Sequence, residues 1–262
     1  YFTINRARQF GKTTTMDLLF DRLSDRYLVV QISFEGAGEQ YFRDEVTFCD
    51  RFKESIAKVL KYTPWQSERN LWISSVRTDS LDELSDSLTD FCMQIERPVL
   101  LMIDEVDKSS DNQLFLNFLG MLRNKYLERS RRGMNSTFHS VILAGVYDVK
   151  NLKIKLRPDE ERKYNSPWNI ATDFDVDMTF HPDEIITMLN EYEADYHTGM
   201  DKEFISNEIY KYTSGYPFLV SKICELIDRK LEKDWSERGV QEAVKVIEND
   251  DESTLINSLT KN

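Results

Sequence analysis

The sequence predicts an α/β fold: a three-layer sandwich with a parallel β-sheet between two layers of helices, followed by a small helical domain. Three observations carry this prediction. Short strand-like runs alternate with longer stretches in which apolar residues recur every three or four positions. The strand-like runs are apolar throughout, which is typical of parallel strands buried on both faces. Beyond His181-Pro182 these runs stop and the pattern is helical to residue 249.

The predicted strands are short segments rich in β-branched and aromatic residues. The segment 27–34 reads YLVVQISF, and 98–103 is an almost unbroken apolar run. Because helical patterns separate most of these segments, the strands are expected to lie parallel. The predicted core strands are 1–5, 27–34, 98–103 and 138–147, with a last short strand over 175–180.

Helices are predicted where apolar residues repeat at helical spacing. Asp79 or Ser80 is a candidate cap for the helix that starts at residue 81, because either side chain accepts hydrogen bonds from first-turn amides. Residues 63–80 are predicted to be a connector with little regular structure, and 149–174 a long polar loop. The predicted helices are 12–25, 46–62, 81–95 and 111–128 in the first part of the chain and 183–197, 201–213, 217–233 and 237–249 in the second.

These patterns divide the chain into a core domain, residues 1–180, and a helical lid domain, residues 181–262. The first residue, Tyr1, opens directly into a strand-like run. Since a domain seldom begins with no residues ahead of its first strand, we expect that the sequence is truncated at its N-terminus.

The composition argues against several functional classes. The 262 residues carry 34 Lys and Arg against 46 Asp and Glu, a formal net charge of −12, whereas general binders of nucleic-acid backbones concentrate positive charge. No uncharged apolar run approaches the ~18 residues that a membrane helix needs, so no membrane partner is indicated. The 3 Cys form no CxxC pair and the 3 His show no ligand spacing. We therefore expect neither a metal cluster nor a disulfide framework, and a reducing, cytoplasmic compartment.

The sharpest local motif is Gly11-Lys12-Thr13-Thr14, which follows the first predicted strand and begins the first predicted helix. Unpaired backbone N–H groups at a helix N-terminus point at a bound anion, and a glycine lets the backbone approach it closely. Lys12 can place an ammonium group between terminal phosphates, and the Thr13 hydroxyl can ligate Mg²⁺. Taken by itself, the triplet is also compatible with an ordinary helix start.

A second motif strengthens the first. The strand 98–103 runs into Asp104-Glu105, and a carboxylate at the carboxyl end of a buried parallel strand lies where α/β sheets bind ligands. Asp104 is predicted to hold the magnesium ion, mostly through water. Glu105 is predicted to orient and polarise a water molecule for attack on the γ-phosphate. The two motifs together predict a site for a magnesium-bound nucleoside triphosphate.

The segments RARQFGKTT and VLLMIDEVD resemble the corresponding motifs of the P-loop ATPases of the additional-strand, catalytic-glutamate division. Within that division the chain is similar to prokaryotic AAA-like ATPases of the signal-transducing (STAND) type, which are related to the archaeal ATPases and the origin-recognition group. The likeness extends to SVILAGVYDVKN, similar to the fourth core strand and its sensor region, and to TSGYPFLVSKICELI, similar to the start of that group's C-terminal helical domain. It implies a P-loop NTPase fold, ATP or ADP with Mg²⁺ as cofactors, and a protein partner or self-association.

The resemblance also assigns roles to particular residues. Lys12 and Thr13 match Walker A, and Asp104 and Glu105 match Walker B. Gly215 and Pro217 match the Gly-x-Pro pair that couples the helical domain to the state of the nucleotide. The implied nucleotide contacts are Arg8, Gln9, Phe10, Gly11, Lys12, Thr13, Thr14, Tyr147 and Pro217, with Thr13 and Asp104 on the metal and Glu105 and Lys12 in catalysis.

The phosphate loop departs from the usual pattern G-x-x-x-x-G-K-[ST] at one position. Its first glycine is replaced by Arg6, and an arginine does not adopt a positive φ cheaply. The N-terminal half of the loop is therefore expected to have a different shape or to lie further from the β-phosphate. Arg6 and Arg8 are expected to add positive charge near the phosphates.

The sensor positions have two interpretations of equal weight. Tyr147 and Asp148 lie at the end of the fourth predicted strand, where a polar group reports on the γ-phosphate. The alternative is that the tyrosine packs the sheet edge and the aspartate caps a turn.

Further candidates have a preferred structural explanation. Arg157 and Arg162 are placed to stabilise charge in phosphoryl transfer, although a solvated charged loop is the preferred interpretation. Asp107 is a candidate brace for the loop after Glu105. Trp168 either stacks on the nucleotide or, as we prefer, packs against protein.

Three functions follow from these motifs. The leading hypothesis is an ATPase whose hydrolysis or ATP/ADP exchange changes the angle between the two domains. The alternative is a nucleotide-gated binding module with negligible turnover, which the departure at Arg6 favours. A small-molecule kinase ranks last, because an Asp-Glu pair at a strand end is more typical of water activation.

Overall fold

The computed structural model describes residues 1–62, 65–106, 112–132, 136–146, 168 and 170–249. The chain divides into two compact units. The first comprises Tyr1–Arg6 and Lys12–Phe174, and the second comprises Ala7–Gly11 and Asp175–Asn262. The short segment Ala7–Gly11 thus belongs to the second unit, although both of its neighbours in the chain belong to the first.

Among the described residues, the strands of the first unit form a five-stranded sheet in the order β2-β3-β4-β1-β5, and each adjacent pair is parallel. The fourth strand in the sequence lies between the first and the third, where it is the additional strand that the resemblance implies. The predicted α/β fold with a parallel sheet is confirmed. The strands are β1 (Phe2–Asn5), β2 (Leu28–Ser33), β3 (Val99–Asp104), β4 (Ser140–Gly145) and β5 (Thr172–Asp173).

The register of the sheet brings the ends of β1 and β3 to the same edge. Leu143 of β4 pairs with Thr3 on one side and with Ile103 on the other. One residue further along, Asp104 ends β3 level with Ile4, one residue before the end of β1. Because all three strands are parallel, the segments that follow β1 and β3 both leave from this carboxyl edge, where α/β sheets bind ligands.

Some helices of the first unit begin at clear side-chain caps. The Ser80 side chain accepts a hydrogen bond from the Glu83 amide, so it is the cap of the helix that starts at residue 81. Asp44 accepts from the Thr47 amide in the same way. The helices are α1 (Lys12–Leu23), α2 (Glu45–Lys61), α3 (Gln66–Ser75), α4 (Leu81–Gln94) and α5 (Gln113–Arg132), with a short 3₁₀ helix at Glu39–Phe42.

The expectation that residues 63–80 lack regular structure is wrong, because α3 lies within them. The helix is held by Trp72, whose side chain is fully buried and whose indole N–H donates to the Lys53 carbonyl at 2.9 Å. The indole also meets the Phe91 ring edge-on, with 4.9 Å between the ring centroids. Burial of one large aromatic side chain has outweighed a weak local helix pattern.

The predicted strand over 175–180 is also wrong, because those residues are not in a strand. The last strand is β5, which pairs with β1 through Phe2 and Thr3. The Thr3 hydroxyl also donates to the Asp173 carboxylate at 3.0 Å. Thr172 and Asp173 therefore form a strand because they pair with β1, although these two polar residues have no apolar strand pattern.

The core of the first unit is strongly aromatic. Phe48, Phe52 and Phe118 are fully buried and pack ring to ring, with centroid distances of 5.0 to 6.1 Å. Trp168 is also fully buried and stacks on Tyr1 at 5.4 Å. Of the two interpretations of Trp168, packing against protein is therefore the one observed.

The second unit has a hydrophobic core of its own, built from aliphatic side chains. Its helices are α6 (Pro182–Tyr196), α7 (Lys202–Thr213), α8 (Pro217–Lys230) and α9 (Glu237–Asn249). Across the described parts of both units, none of the helices is long and apolar enough to cross a membrane.

Candidate functional site

Lys12 is the first residue of α1 and its side chain is buried, with 6% of its surface exposed. Its ammonium group donates a hydrogen bond to the Arg6 carbonyl at 3.1 Å. Arg6 directly follows β1, and its own amide bonds to the Gly145 carbonyl of β4. The end of β1, the start of α1 and the end of β4 thus fix the lysine at the carboxyl edge of the sheet.

Thr13 and Asp104, 91 residues apart in the chain, are in direct contact. The Thr13 hydroxyl donates to Asp104 Oδ2 at 2.8 Å, and the Glu105 amide donates to Asp104 Oδ1, also at 2.8 Å. Asp104 is 5% exposed. Both of its carboxylate oxygens therefore have a donor, as a buried charge requires.

Glu105 has an unusual backbone conformation, with φ at +56°. A residue with a Cβ atom in this left-handed region carries strain of about 1–3 kcal/mol, and such strain concentrates at functional sites. The bond from the Glu105 amide to the Asp104 carboxylate holds the backbone in this conformation. The strand end is thus shaped by the two acidic residues themselves.

The chemistry of these donors fits a magnesium ion. A hydroxyl and a carboxylate oxygen within 2.8 Å of each other are both hard oxygen ligands. In the described part of the chain, no group of three or more His, Cys, Asp or Glu side chains is placed to hold a metal. An ion held by Thr13 and Asp104 would therefore complete its shell with water and phosphate oxygens, as Mg²⁺ does in nucleotide sites.

The phosphate loop makes its left-handed turns at Gln9, with φ at +58°, and Gly11, with φ at +76°, and Arg6 is not among the residues with positive φ. The Arg6 guanidinium donates to the carbonyls of Asn5 at 2.9 Å and Phe174 at 3.4 Å. Two backbone carbonyls thus hold its charge within the first unit.

The Gly-x-Pro motif forms a tight turn at the start of α8. Gly215 has φ at +77°, and a Cβ atom there would lie 2.4 Å from the Phe180 carbonyl oxygen. The Phe180 amide in turn donates to the Gly215 carbonyl at 2.8 Å. Pro217 begins α8, a position that suits its fixed φ and missing N–H. Only a glycine fits the first position of this motif.

Tyr216, the middle residue of that motif, was missed by the sequence reasoning. Its hydroxyl donates to the Arg8 carbonyl, and its ring packs on Phe10 with 5.0 Å between centroids. The only sequence signal is its place between Gly215 and Pro217, which says nothing about which group it meets. A phenol with its ordinary pKa is already protonated at neutral pH, and burial raises the pKa of Tyr216 further, so its hydroxyl is a hydrogen-bond donor.

The predicted site residues fall into three groups. Lys12, Thr13, Asp104 and Glu105 lie together in the first unit, while Thr14 is exposed in the first turn of α1. Arg8, Gln9, Phe10, Gly11 and Pro217 belong to the second unit. Several predicted residues lie outside the described part of the chain: Asp107, Tyr147, Asp148, Arg157 and Arg162.

A family model for the AAA-like domain matches residues 1–244. The chain belongs to the AAA-like domain family. This AAA-like domain matches no curated protein.

Solved structures from Aeropyrum pernix share the fold. The ORC2 protein in its ADPNP–ADP complexes has a TM-score of 0.51 at 16% identity, over 93% of this chain and 60% of that chain. The ADP form of ORC2 has a TM-score of 0.52 at 14% identity, over 93% and 61% of the two chains. The AAA-like domain thus spans about three fifths of the ORC2 length. The expected AAA-like family is confirmed, and the expected likeness to the origin-recognition group is confirmed at the level of the fold.

Proposed function

We propose that this chain binds ATP with Mg²⁺ and hydrolyses it to ADP and phosphate. The observation that carries the proposal is the 2.8 Å hydrogen bond between the Thr13 hydroxyl and Asp104 Oδ2. It joins the residue after the phosphate-loop lysine to the acid at the end of a buried parallel strand. Family membership and the A. pernix ORC2 structures, which carry ADPNP and ADP, support a nucleotide as the ligand.

Each residue has a defined task in this proposal. The Lys12 ammonium exchanges the Arg6 carbonyl for phosphate oxygens, and the amides of the loop before α1 donate to the same phosphates. Thr13 and Asp104 would hold Mg²⁺, which neutralises phosphate charge when it is bound. Glu105 accepts a proton from the attacking water and orients it towards the γ-phosphate. The implied nucleotide contacts of Arg8, Gln9, Phe10, Gly11, Thr14, Tyr147 and Pro217 belong to the same proposal.

We further propose that hydrolysis or exchange switches the conformation between a core domain, residues 1–180, and a helical domain, residues 181–262. Gly215 and Pro217 are suited to this role because the turn they form starts a helix and tolerates no side chain at its first position. A protein partner or a second copy of the chain in the cytoplasm would receive the switch. Neither nucleic acid nor a membrane is part of the proposal.

A second candidate is a nucleotide-gated binding module with negligible turnover. The engagement of Arg6 favours it, because that guanidinium donates to the Asn5 and Phe174 carbonyls instead of standing ready for a phosphate. A guanidinium held in this way stabilises charge in the transition state less well than one that faces the phosphates.

Two substitutions test the proposal. Lys12→Ala is expected to abolish binding of Mg·ATP, because the buried ammonium is the cation of the phosphate loop. Glu105→Gln is expected to keep binding within about threefold and to lower turnover by about 10²–10⁴, the contribution of a general base. Binding is measured by calorimetry and turnover by phosphate release at saturating Mg·ATP.

Matched controls come from α2, where Lys58→Ala and Glu54→Gln change the same residue types on an exposed surface. Normal turnover in Glu105→Gln would show that the base is assigned wrongly. Tight binding in Lys12→Ala would place the nucleotide elsewhere. Binding without multiple turnovers in the wild-type protein would favour the nucleotide-gated module.

A further inference from the structure

The segment Ala7–Gly11 of the phosphate loop is joined to the helical unit in which it clusters. The Arg8 carbonyl accepts the Tyr216 hydroxyl, and the Phe10 ring packs on the Tyr216 ring. At Gly11, a Cβ atom would touch the Met178 methyl carbon at 4.0 Å. One tyrosine thus supplies both a polar and an apolar contact to a segment of five residues.

The position of Tyr216 is itself tightly constrained. Gly215 has a positive φ, and the Phe180 carbonyl packs directly against its Cα. The backbone that leads into the tyrosine is therefore confined to a narrow range of conformations. Pro217 then starts α8 with a fixed φ. The Tyr216 side chain is 8% exposed, and its burial keeps the ring in one orientation.

The loop needs such support more than a glycine-rich loop does. Gln9 has φ at +58°, a conformation that costs energy for a residue with a Cβ atom. Strained backbone of this kind persists only where surrounding contacts hold it. The contacts of Tyr216 reach the residues on both sides of Gln9.

We propose that Tyr216 is a positioning residue that holds the segment Ala7–Gly11 in its binding conformation, and thereby sets the nucleotide affinity of the phosphate loop. The inference rests on the proposed function for its effect on nucleotide, but the holding of the loop is measurable without any ligand. It assigns a task to the middle residue of the Gly-x-Pro turn. The tyrosine, which precedes the first residue of α8, would then influence phosphate binding by holding the backbone of the phosphate loop.

The test separates the two contacts of Tyr216 by substitution. Tyr216→Phe removes the hydroxyl and keeps the ring on Phe10, and Tyr216→Leu removes both contacts. Amide hydrogen exchange of Ala7–Gly11 in the nucleotide-free protein is expected to rise about tenfold in Tyr216→Phe, as for the loss of one net hydrogen bond, and further in Tyr216→Leu. The Kd for Mg·ADP, measured by calorimetry, is expected to rise by a similar factor.

The control is Tyr212→Phe, which removes a hydroxyl from an exposed tyrosine of α7. A positioning role requires that exchange in α8 and α9 stays at the wild-type rate while exchange in Ala7–Gly11 rises. For turnover it requires a higher KM for ATP with kcat within about twofold of the wild type, as expected when binding rather than chemistry is impaired.

Two results of the exchange experiment would overturn the inference: unchanged exchange in Ala7–Gly11, or a uniform rise across the whole helical unit. Normal Mg·ADP affinity in Tyr216→Leu would also remove it while leaving the proposed function intact. If the wild-type protein binds neither Mg·ADP nor Mg·ATP, the proposed function fails. The exchange measurement then decides by itself whether Tyr216 holds the loop.

Discussion

Asp104 keeps its carboxylate in one orientation because each oxygen accepts a different donor. The Thr13 hydroxyl serves one oxygen and the Glu105 amide the other. The second of these bonds also supports the left-handed backbone of Glu105. At the scale of single residues, the strand end is therefore preorganised before any ligand arrives. Removal of one donor is expected to lower the free energy of unfolding.

Thr13→Val is expected to lower the free energy of unfolding by about 1–3 kcal/mol, because valine has the shape of threonine but leaves a buried carboxylate oxygen without its donor. Thr13→Ser keeps the hydroxyl and is the matched control, with an expected loss below about 1 kcal/mol. Urea unfolding without nucleotide measures both values. Equal losses in the two variants would show that the hydroxyl contributes nothing at this position.

The same variants bear on the metal. In the proposed site, Mg²⁺ raises the stability of Thr13→Ser in the presence of ADP, while Thr13→Val gains less, since it has lost one of two oxygen ligands. The pattern Gly-Lys-Thr makes this residue a candidate metal ligand, and that role stays a prediction. The left-handed φ of Glu105 was not predictable, because nothing in the local sequence requires it.

At the scale of elements, α3 shows where the sequence pattern is a poor guide. Five polar residues, three apolar residues and two serines follow one another in this helix without a clear helical face, so the sequence predicts a connector. What stabilises the helix is a long-range contact: Trp72 is fully buried, bonds to the Lys53 carbonyl of α2 and packs on Phe91 of α4. Tertiary packing has overridden a weak local preference, as it does for most helices in globular proteins.

Trp72→Ala is expected to cost about 3–5 kcal/mol of unfolding free energy, the range for a large aromatic side chain removed from a core. The neighbouring Ile73, 39% exposed, is the control, and Ile73→Ala is expected to cost less than about 1 kcal/mol. Denaturant titration at neutral pH compares the two variants. Similar losses for both would mean that α3 is not anchored by its indole.

The last strand makes the same point in the sheet. β5 consists of Thr172 and Asp173, which have no apolar pattern. They form a strand because the Thr172 amide donates to the Tyr1 carbonyl and the Phe174 amide to the Thr3 carbonyl, both at 2.9 Å. The more apolar run after them was predicted instead, because periodicity registers burial and not backbone pairing.

At the scale of the whole molecule, each unit has its own core, and ionisable side chains are buried in these cores or pack against them. Burial raises the pKa of the thiols of Cys49 and Cys92 in the first unit, and of Cys224 in the second, to about 12. Burial also raises the pKa of Tyr41 to about 12. Burial lowers the pKa of Lys125, whose ammonium is held by the Ser85 carbonyl and two hydroxyls.

These shifts predict a loss of stability at alkaline pH. In the unfolded chain a thiol releases its proton above its ordinary pKa of about 9, whereas the folded protein keeps the proton until about pH 12, so the free energy of unfolding falls between these values. Lys125 acts in the opposite direction below its ordinary pKa of 10.5, but it is one group against three thiols and Tyr41. A net decrease is expected.

Cys49→Ala isolates one of these contributions. Between pH 8 and 10.5 the wild-type protein is expected to lose about 2 kcal/mol more stability than the variant, from the shift of one fully buried thiol. Urea unfolding under reducing conditions at the two pH values measures the difference. If both proteins respond equally to pH, the Cys49 thiol is not protected in the folded state.

The sequence by itself determined the parallel α/β architecture, most helix and strand positions, and the residues Lys12, Thr13, Asp104 and Glu105 as candidates. These follow from local patterns: apolar runs record burial on both faces, and a glycine-lysine-threonine helix start or an acid at a strand end can be read without knowing what lies nearby. Only the tertiary structure decided that Thr13 touches Asp104, that Arg6 is engaged by carbonyls, and that Tyr216 bonds to the Arg8 carbonyl. The contacts of Thr13 with Asp104, of Arg6 with Phe174 and of Tyr216 with Arg8 join residues far apart in the chain, and each depends on which polar groups the fold brings within hydrogen-bond reach.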